Sequence, residues 1–136
     1  PGEEHLAAAA LLELRPHLQD PEALTRAAAA QRAGGYRLLG SFAGGDHEAA
    51  AVAGFRELHM LAWGRALYVD DLVTRPEHRG AGHATALLQA LDEEARRLGC
   101  AELHLDSGVV PERQAAHRRY FGHGMRIVSF HFAKRL

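Results

Sequence analysis

The chain has 136 residues, 47% apolar and 24% charged, a composition far from that of disordered chains and long enough for one domain with its own core. Its formal net charge of -1 gives no overall field to steer it toward nucleic acid or an anionic membrane. A single cysteine, Cys100, excludes an intrachain disulfide and a multi-cysteine zinc centre, and the longest apolar run, Leu6 to Leu12, is too short to span a bilayer.

In chain order, Leu11, Leu14 and Leu18 recur at helical spacing. Asp20, Pro21 and Glu22 then supply an N-cap, a first-turn proline and an early acid for a second helix, which the glycines 34 and 35 should end. From there the period becomes strand-like over Tyr36 to Ala43, Ala49 to Leu61 and Ala66 to Thr74. Turn residues 44–46 and 62–65 separate these runs, which predicts an antiparallel meander with Arg56, Glu57 and His59 toward solvent. A long helix from about His83 to Leu98 places Ala84, Leu87, Leu88, Leu91, Ala95 and Leu98 on one stripe, and Gly99 stops it. Ala101 to Ser107 reads as a strand, Glu112 to Phe121 as a short helix, and Arg126 to Lys134 as a terminal strand.

The most informative segment is the strand-to-helix junction Val73 to Ala84. Pro76 breaks the strand, and Arg79, Gly80, Ala81, Gly82, His83 and Ala84 lead into the long helix. The first N–H groups of a helix lack intrahelical partners and carry the positive end of its dipole. Small residues at that mouth let phosphate oxygens reach the amides, and Arg79 adds charge. Two glycines also serve simply to turn a chain, so position rather than composition favours an anion site. No Gly-Lys-Ser/Thr and no Gly-x-Gly-x-x-Gly is present, which argues against a P-loop or a dinucleotide fold.

Arg79, x, x, Gly82, x, Ala84 resembles the Arg/Gln-x-x-Gly-x-Gly/Ala signature of the GNAT superfamily of N-acetyltransferases, and Thr74 to Gly80 resembles its Val-x-Pro-x-x-Arg-Gly approach. Downstream, Arg113 to Met125 is similar to the family's Asn-x-x-Ala-x-x-x-Tyr-x-x-x-Gly-Phe. Ala116, Tyr120 and Gly124 stand in register, whereas Arg113 and Met125 replace the usual Asn and Phe. The resemblance implies acetyl-CoA as cosubstrate, and no metal is expected, since the histidines lack His-x-x-x-His spacing and Cys100 is the one cysteine. The diphosphate of acetyl-CoA is then held by Arg79 and the amides of Gly80, Ala81, Gly82, His83 and Ala84, and its pantetheine arm by the backbone of Leu72, Val73 and Thr74. Arg113 and Ala116 add contacts from the later helix. Tyr120 is implied as general acid, since a phenol of pKa near 10 can protonate a departing thiolate; on spacing alone, packing of the helix on the sheet is the better reading.

The acceptor must be deprotonated. An amine of pKa near 10.4 is neutral in roughly one molecule per few thousand at pH 7, a cost of about 4 to 5 kcal/mol. Asp70 and Asp71, on the strand approaching the cofactor loop, resemble the acidic pair of polyamine-acetylating members of the family. Successive strand residues face opposite ways, so only one should meet substrate unless a bulge intervenes; register ranks Asp70 first. His104 and Asp106 share a face of the next strand, and a polar strand face explains them equally. Arg113, Arg118 and Arg119 offer charge for a 3'-phosphate or a solvated helix face.

The expectation is therefore one α/β (α+β) domain over residues 1–136 with the GNAT fold: a mixed, mostly antiparallel sheet with helices on both faces, its first strand absent from this sequence. It predicts a cytoplasmic enzyme acetylating a primary amine of a small molecule, as monomer or homodimer, with neither nucleic acid nor membrane as partner. A non-catalytic acyl-CoA-binding module and a protein lysine or N-terminal acetyltransferase are the alternatives.

Overall fold

Asp20 starts the best-capped helix of the molecule. Its carboxylate accepts the backbone N–H groups of Glu22 and Ala23 at 3.1 and 3.2 Å, and Pro21 occupies the first helical position, where no amide hydrogen is needed. A computed structural model describes residues 2–136 of the chain, which form two compact units, one through Leu105 and the other Asp106–Leu136.

The first unit contains α1 (Ala8–Leu14), α2 (Pro21–Gln31), β1 (Arg37–Ser41), β2 (Ala51–Met60), β3 (Gly64–Thr74), α3 (His83–Arg97) and β4 (Glu102–Leu105). α2 runs out through a 3-10 turn, and Gly35 closes it in the left-handed region at φ 82°, as the paired glycines predict. The strands form one sheet in the order β1-β2-β3-β4. The first two pairings are antiparallel and β3 pairs β4 in parallel, because α3 must cross over between them.

Alternation along β1 and β2 distributes the helices over both faces. Arg37 pairs with Glu94 of α3 and Ser41 hydrogen-bonds His83 at its start, so odd positions of β1 look toward α3. Leu38, Val52 and Val73 look the other way and pack with Ala7, Ala8, Ala10, Leu11 and Leu24 from the first two helices and the turn before them. Small residues in α1 let that helix lie close to the sheet. Ala84, Leu87, Leu88, Leu91 and Ala95 are the buried stripe of α3, and Leu67, Leu88, Leu91 and Val52 are the largest fully enclosed side chains. At roughly 1.5 to 3 kcal/mol per large apolar side chain removed from water, these positions fix the sheet-helix layering.

The second unit begins with a 3-10 turn, Pro111–Arg113, and continues as α4 (Gln114–Gly122). Gly124 at φ 84° ends it, and the N–H of Met125 bonds back to the Tyr120 carbonyl at 3.0 Å. The terminal strand predicted over Arg126 to Lys134 is not formed: residues 126–136 are neither helix nor strand, and Ile127, Val128, Phe130 and Phe132 are exposed. Alternation in a sequence states which side chains want a common face, but a strand exists only where a neighbour supplies ladder hydrogen bonds. Among the described residues, 126–136 take part in no strand ladder.

Candidate active site

The turn at the mouth of α3 is built by two left-handed glycines. Gly80 (φ 79°) and Gly82 (φ 85°) reverse the chain between a 3-10 turn at Pro76–His78 and the start of α3. Among the described residues, adjacent chain neighbours aside, no atom lies within 4 Å of where a Cβ on either glycine would stand, so that side of the turn is open rather than packed. The first bond inside α3 runs from the Ala86 N–H to the Gly82 carbonyl at 3.0 Å, and the amides before it have no partner within the helix. Arg79 and Ala81 are exposed, Ala84 is buried, and His83 is half-buried with Nδ1 2.8 Å from Ser41 Oγ. His78 stands edge-on to His83 with ring centres 6.0 Å apart, and its Nε2 is 3.5 Å from Asp46.

β3 runs on into this turn beyond its pairing with β4. It pairs β4 only through Val69, opposite Leu105, while on its other side it pairs β2 as far as Thr74. Asp70 to Thr74, including the predicted Leu72, Val73 and Thr74, thus present a strand edge without a β4 neighbour.

The register of β2 and β3 brings both aspartates to one face. Gly54 opposes Asp71 and Phe55 opposes Val69, so Asp70 is the extra residue of a bulge. Asp70 meets Arg56, whose Nε donates to Oδ1 and Oδ2 at 3.1 and 3.0 Å and whose Nη2 donates to Oδ2 at 2.6 Å. Arg56 is anchored further by Gln31 Oε1 at 2.7 Å, by the Gly34 carbonyl and by its position over the Tyr36 ring. The residue read as pointing to solvent is therefore the counter-ion of the acidic pair. Asp71 accepts the Tyr36 hydroxyl at Oδ2, 2.8 Å, and the Arg15 Nε at Oδ1, 2.9 Å. Burial, then the Asp71 carboxylate, push the Tyr36 phenol far above its ordinary value, so it stays a hydrogen-bond donor at any physiological pH.

Within the second unit, α4 carries Tyr120, which is buried; burial raises its phenol above the ordinary value against the opposing pull of Arg113 and Arg119. Ser107 Oγ lies 3.0 Å from His117 Nε2 and 3.4 Å from Arg113 Nε, while Ala116 is half-buried and Arg118 and Arg119 are exposed. His104 and Asp106 do not form one base: His104 stacks on Trp63, ring centres 3.6 Å apart, and pairs with Glu102, whereas Asp106 lies beyond β4 and faces His131. Cys100 is half-buried. No helix among the described residues is long and apolar enough to cross a membrane.

Sequence reasoning missed Arg15, Tyr36 and Arg56 as members of the acidic cluster. Their partners lie 14 to 56 positions away, and the one local signal was Gly54, a glycine inside a strand, which often marks a bulge or a close approach.

The sheet with its truncated β4, the glycine turn at the mouth of α3 and the buried tyrosine of α4 define a class, and comparison agrees. Residues 5–125 match the model described as the acetyltransferase (GNAT) family, and the chain belongs to that family. Among solved structures, a ribosomal-protein-alanine N-acetyltransferase from Brucella melitensis biovar Abortus 2308 superposes with a TM-score of 0.82 at 23% identity, over 98% of this chain and 94% of that one. The aminoglycoside N-acetyltransferase AAC(6')-Iy, solved in complex with CoA, gives 0.80 at 18% identity, over 98% and 88%. An acetyltransferase from Trypanosoma brucei gives 0.75 at 23%, over 97% and 94%. No curated protein sequence matches the chain.

Proposed function

We propose that this GNAT acetyltransferase moves the acetyl group of acetyl-CoA onto a primary amine of a small molecule by direct attack in a ternary complex. The observation that carries the proposal is the pair of left-handed glycines, 80 and 82, facing open space at the mouth of α3. A diphosphate suits that turn because Gly80 and Gly82 put no side chain of their own between its oxygens and the backbone amides. Arg79 and the amides of Gly80 to Ala84 are assigned to the diphosphate. The edge of β3 at Leu72 to Thr74, which pairs with no residue of β4, is assigned to the pantetheine arm, with Arg113 and Ala116 as further contacts. When bound, the cosubstrate supplies an activated thioester carbonyl.

The chain's own residues then handle two protons. An aspartate of the pair at 70 and 71 draws the cationic amine and takes its proton, directly or through water, and Tyr120 returns one to the leaving sulfur. Tyr120 suits that task because its phenol is kept neutral by burial. We assign the whole chain to one catalytic domain, and its single cysteine is consistent with a cytoplasmic setting.

Thiol release from acetyl-CoA over a panel of diamines, aminoglycosides, amino acids and peptides tests the proposal. Release with a small amine supports it, and release with peptides alone moves the acceptor to a protein N-terminus or lysine. Calorimetric binding of acetyl-CoA with no release from any amine replaces it with an acyl-CoA-binding module.

A further inference from the structure

Arg15 and Arg56 both neutralise the acidic pair, but they are held very differently. Arg56 makes three hydrogen bonds to the Asp70 carboxylate, is fixed by Gln31 and the Gly34 carbonyl, and its side chain is 23% exposed. To free Asp70, all of these contacts must break and a partly buried charge must be left behind, which is strongly unfavourable. Arg15 sits in the exposed connection between α1 and α2, and its side chain is 44% exposed. It reaches only two acceptors, Asp71 Oδ1 and, at 3.2 Å, the Asp70 carbonyl.

We infer that Arg15 is a specificity-determining residue: its guanidinium occupies the seat of the acceptor's ammonium group on Asp71, and a cationic amine enters by displacing it. The inference rests on the amine-acetylating function proposed above and deepens it. An alkylammonium has three donors, enough to take both acceptors that Arg15 now uses, and the exchange leaves one positive charge on the seat before and after. Arg15 itself swings into water at little cost, its side chain being 44% exposed, while Asp71, only 13% exposed, must keep a cation, which the incoming ammonium supplies. Asp71 does not move with it, since the Tyr36 hydroxyl holds its other oxygen at 2.8 Å. The site therefore selects amines that are cationic at neutral pH over weakly basic ones such as aniline, and within the pair it is Asp71 that meets the substrate while Asp70 remains closed by Arg56.

The experiment uses the full chain and 1,5-diaminopentane, an aliphatic dication with no other recognition groups. Its calorimetric Kd, and its KM in thiol release from acetyl-CoA, are measured for wild type, Arg15→Gln, Arg15→Lys and Arg15→Gln/Asp71→Asn, with melting curves confirming that each is folded and Arg15→Ala standing in should Arg15→Gln not fold. The expected result is a Kd about two- to fivefold lower in Arg15→Gln, the scale of one exposed ion pair. Arg15→Lys should match wild type, the double variant should lose binding, and the KM for aniline should not respond to Arg15. A Kd for diaminopentane that is unchanged or higher in Arg15→Gln, or absence of binding by every variant, overturns the inference. Thiol release whose KM ignores Arg15 leaves acetyl transfer standing and removes the seat. Diaminopentane binding that tightens in Arg15→Gln without thiol release from any amine leaves the seat standing and removes acetyl transfer.

Discussion

The Tyr36 hydroxyl lies 2.0 Å from the point where a Cβ on Gly54 would stand, and two carbons of the same ring lie within 2.7 Å of it. Gly54 is thus the floor on which the phenol rests while it bonds Asp71. Gly54→Ala should cost about 1 to 3 kcal/mol, as overpacked core positions do. Tyr36→Phe should not rescue it, since the ring carbons collide as well as the oxygen. Urea midpoints of the two single variants and the double variant check this; a stable double variant contradicts the geometry.

The same phenol governs stability in alkali. Tyr36 is pushed upward by burial, by Asp71 and by Asp70, with Arg56 pulling the other way. A group whose pKa is higher when folded contributes stability that is complete below its unfolded value of 10.0 and is lost as pH rises toward the folded one. The stability difference between wild type and Tyr36→Phe should therefore be constant from pH 7 to 9.5. It should then shrink by about 1.4 kcal/mol for each pH unit above 10, measured by urea unfolding.

At the acid end the corresponding group is Glu94. Hydrogen bonds from Arg97 and Arg37 hold its carboxyl down at about 2. The sign is opposite: the contribution is present above the ordinary value of 4.5 and disappears as pH falls toward 2. Arg37 and Arg97 are 48% and 64% exposed, so solvent screens the pair. Glu94→Gln should cost about 1 kcal/mol at pH 7 and nothing near pH 2, read from thermal melts across that range.

Two variants separate binding from chemistry. Gly82→Glu forces a side chain into a left-handed position and a carboxylate into the turn proposed to hold the diphosphate. Calorimetry should register no acetyl-CoA binding, and the strain should cost about 1 kcal/mol or more of stability. Tyr120→Phe should instead lower kcat by roughly a hundredfold or more with the acetyl-CoA Kd unchanged. Undiminished turnover takes Tyr120 out of the mechanism.

The order of elements through Leu105 was legible because each is marked locally: Asp20 and Pro21 at a helix start, Gly35 at its end, and five apolar residues at helical spacing in α3. The glycine turn was legible for the same reason, being six consecutive residues. The acidic cluster was legible only in half. Asp70 and Asp71 are neighbours in sequence, but the bulge that turns both to one face is set by cross-strand register. Arg15, Tyr36 and Arg56 reach them only after helices and strands have packed. Register ranked Asp70 first, whereas the hydrogen bonds close Asp70 with Arg56 and leave Asp71 on the more exposed arginine. At residues 126–134 the alternation was real and the strand was not, because pairing is a property of two segments and one sequence window contains only one.

Phe130 and Phe132, 85% and 91% exposed in a stretch with no regular structure, have a practical consequence. Chymotrypsin needs an accessible aromatic residue on a backbone free to enter its cleft, and these are the best such bonds in the molecule. Brief digestion should trim there first, leaving the span that matches the family, 5–125, uncut.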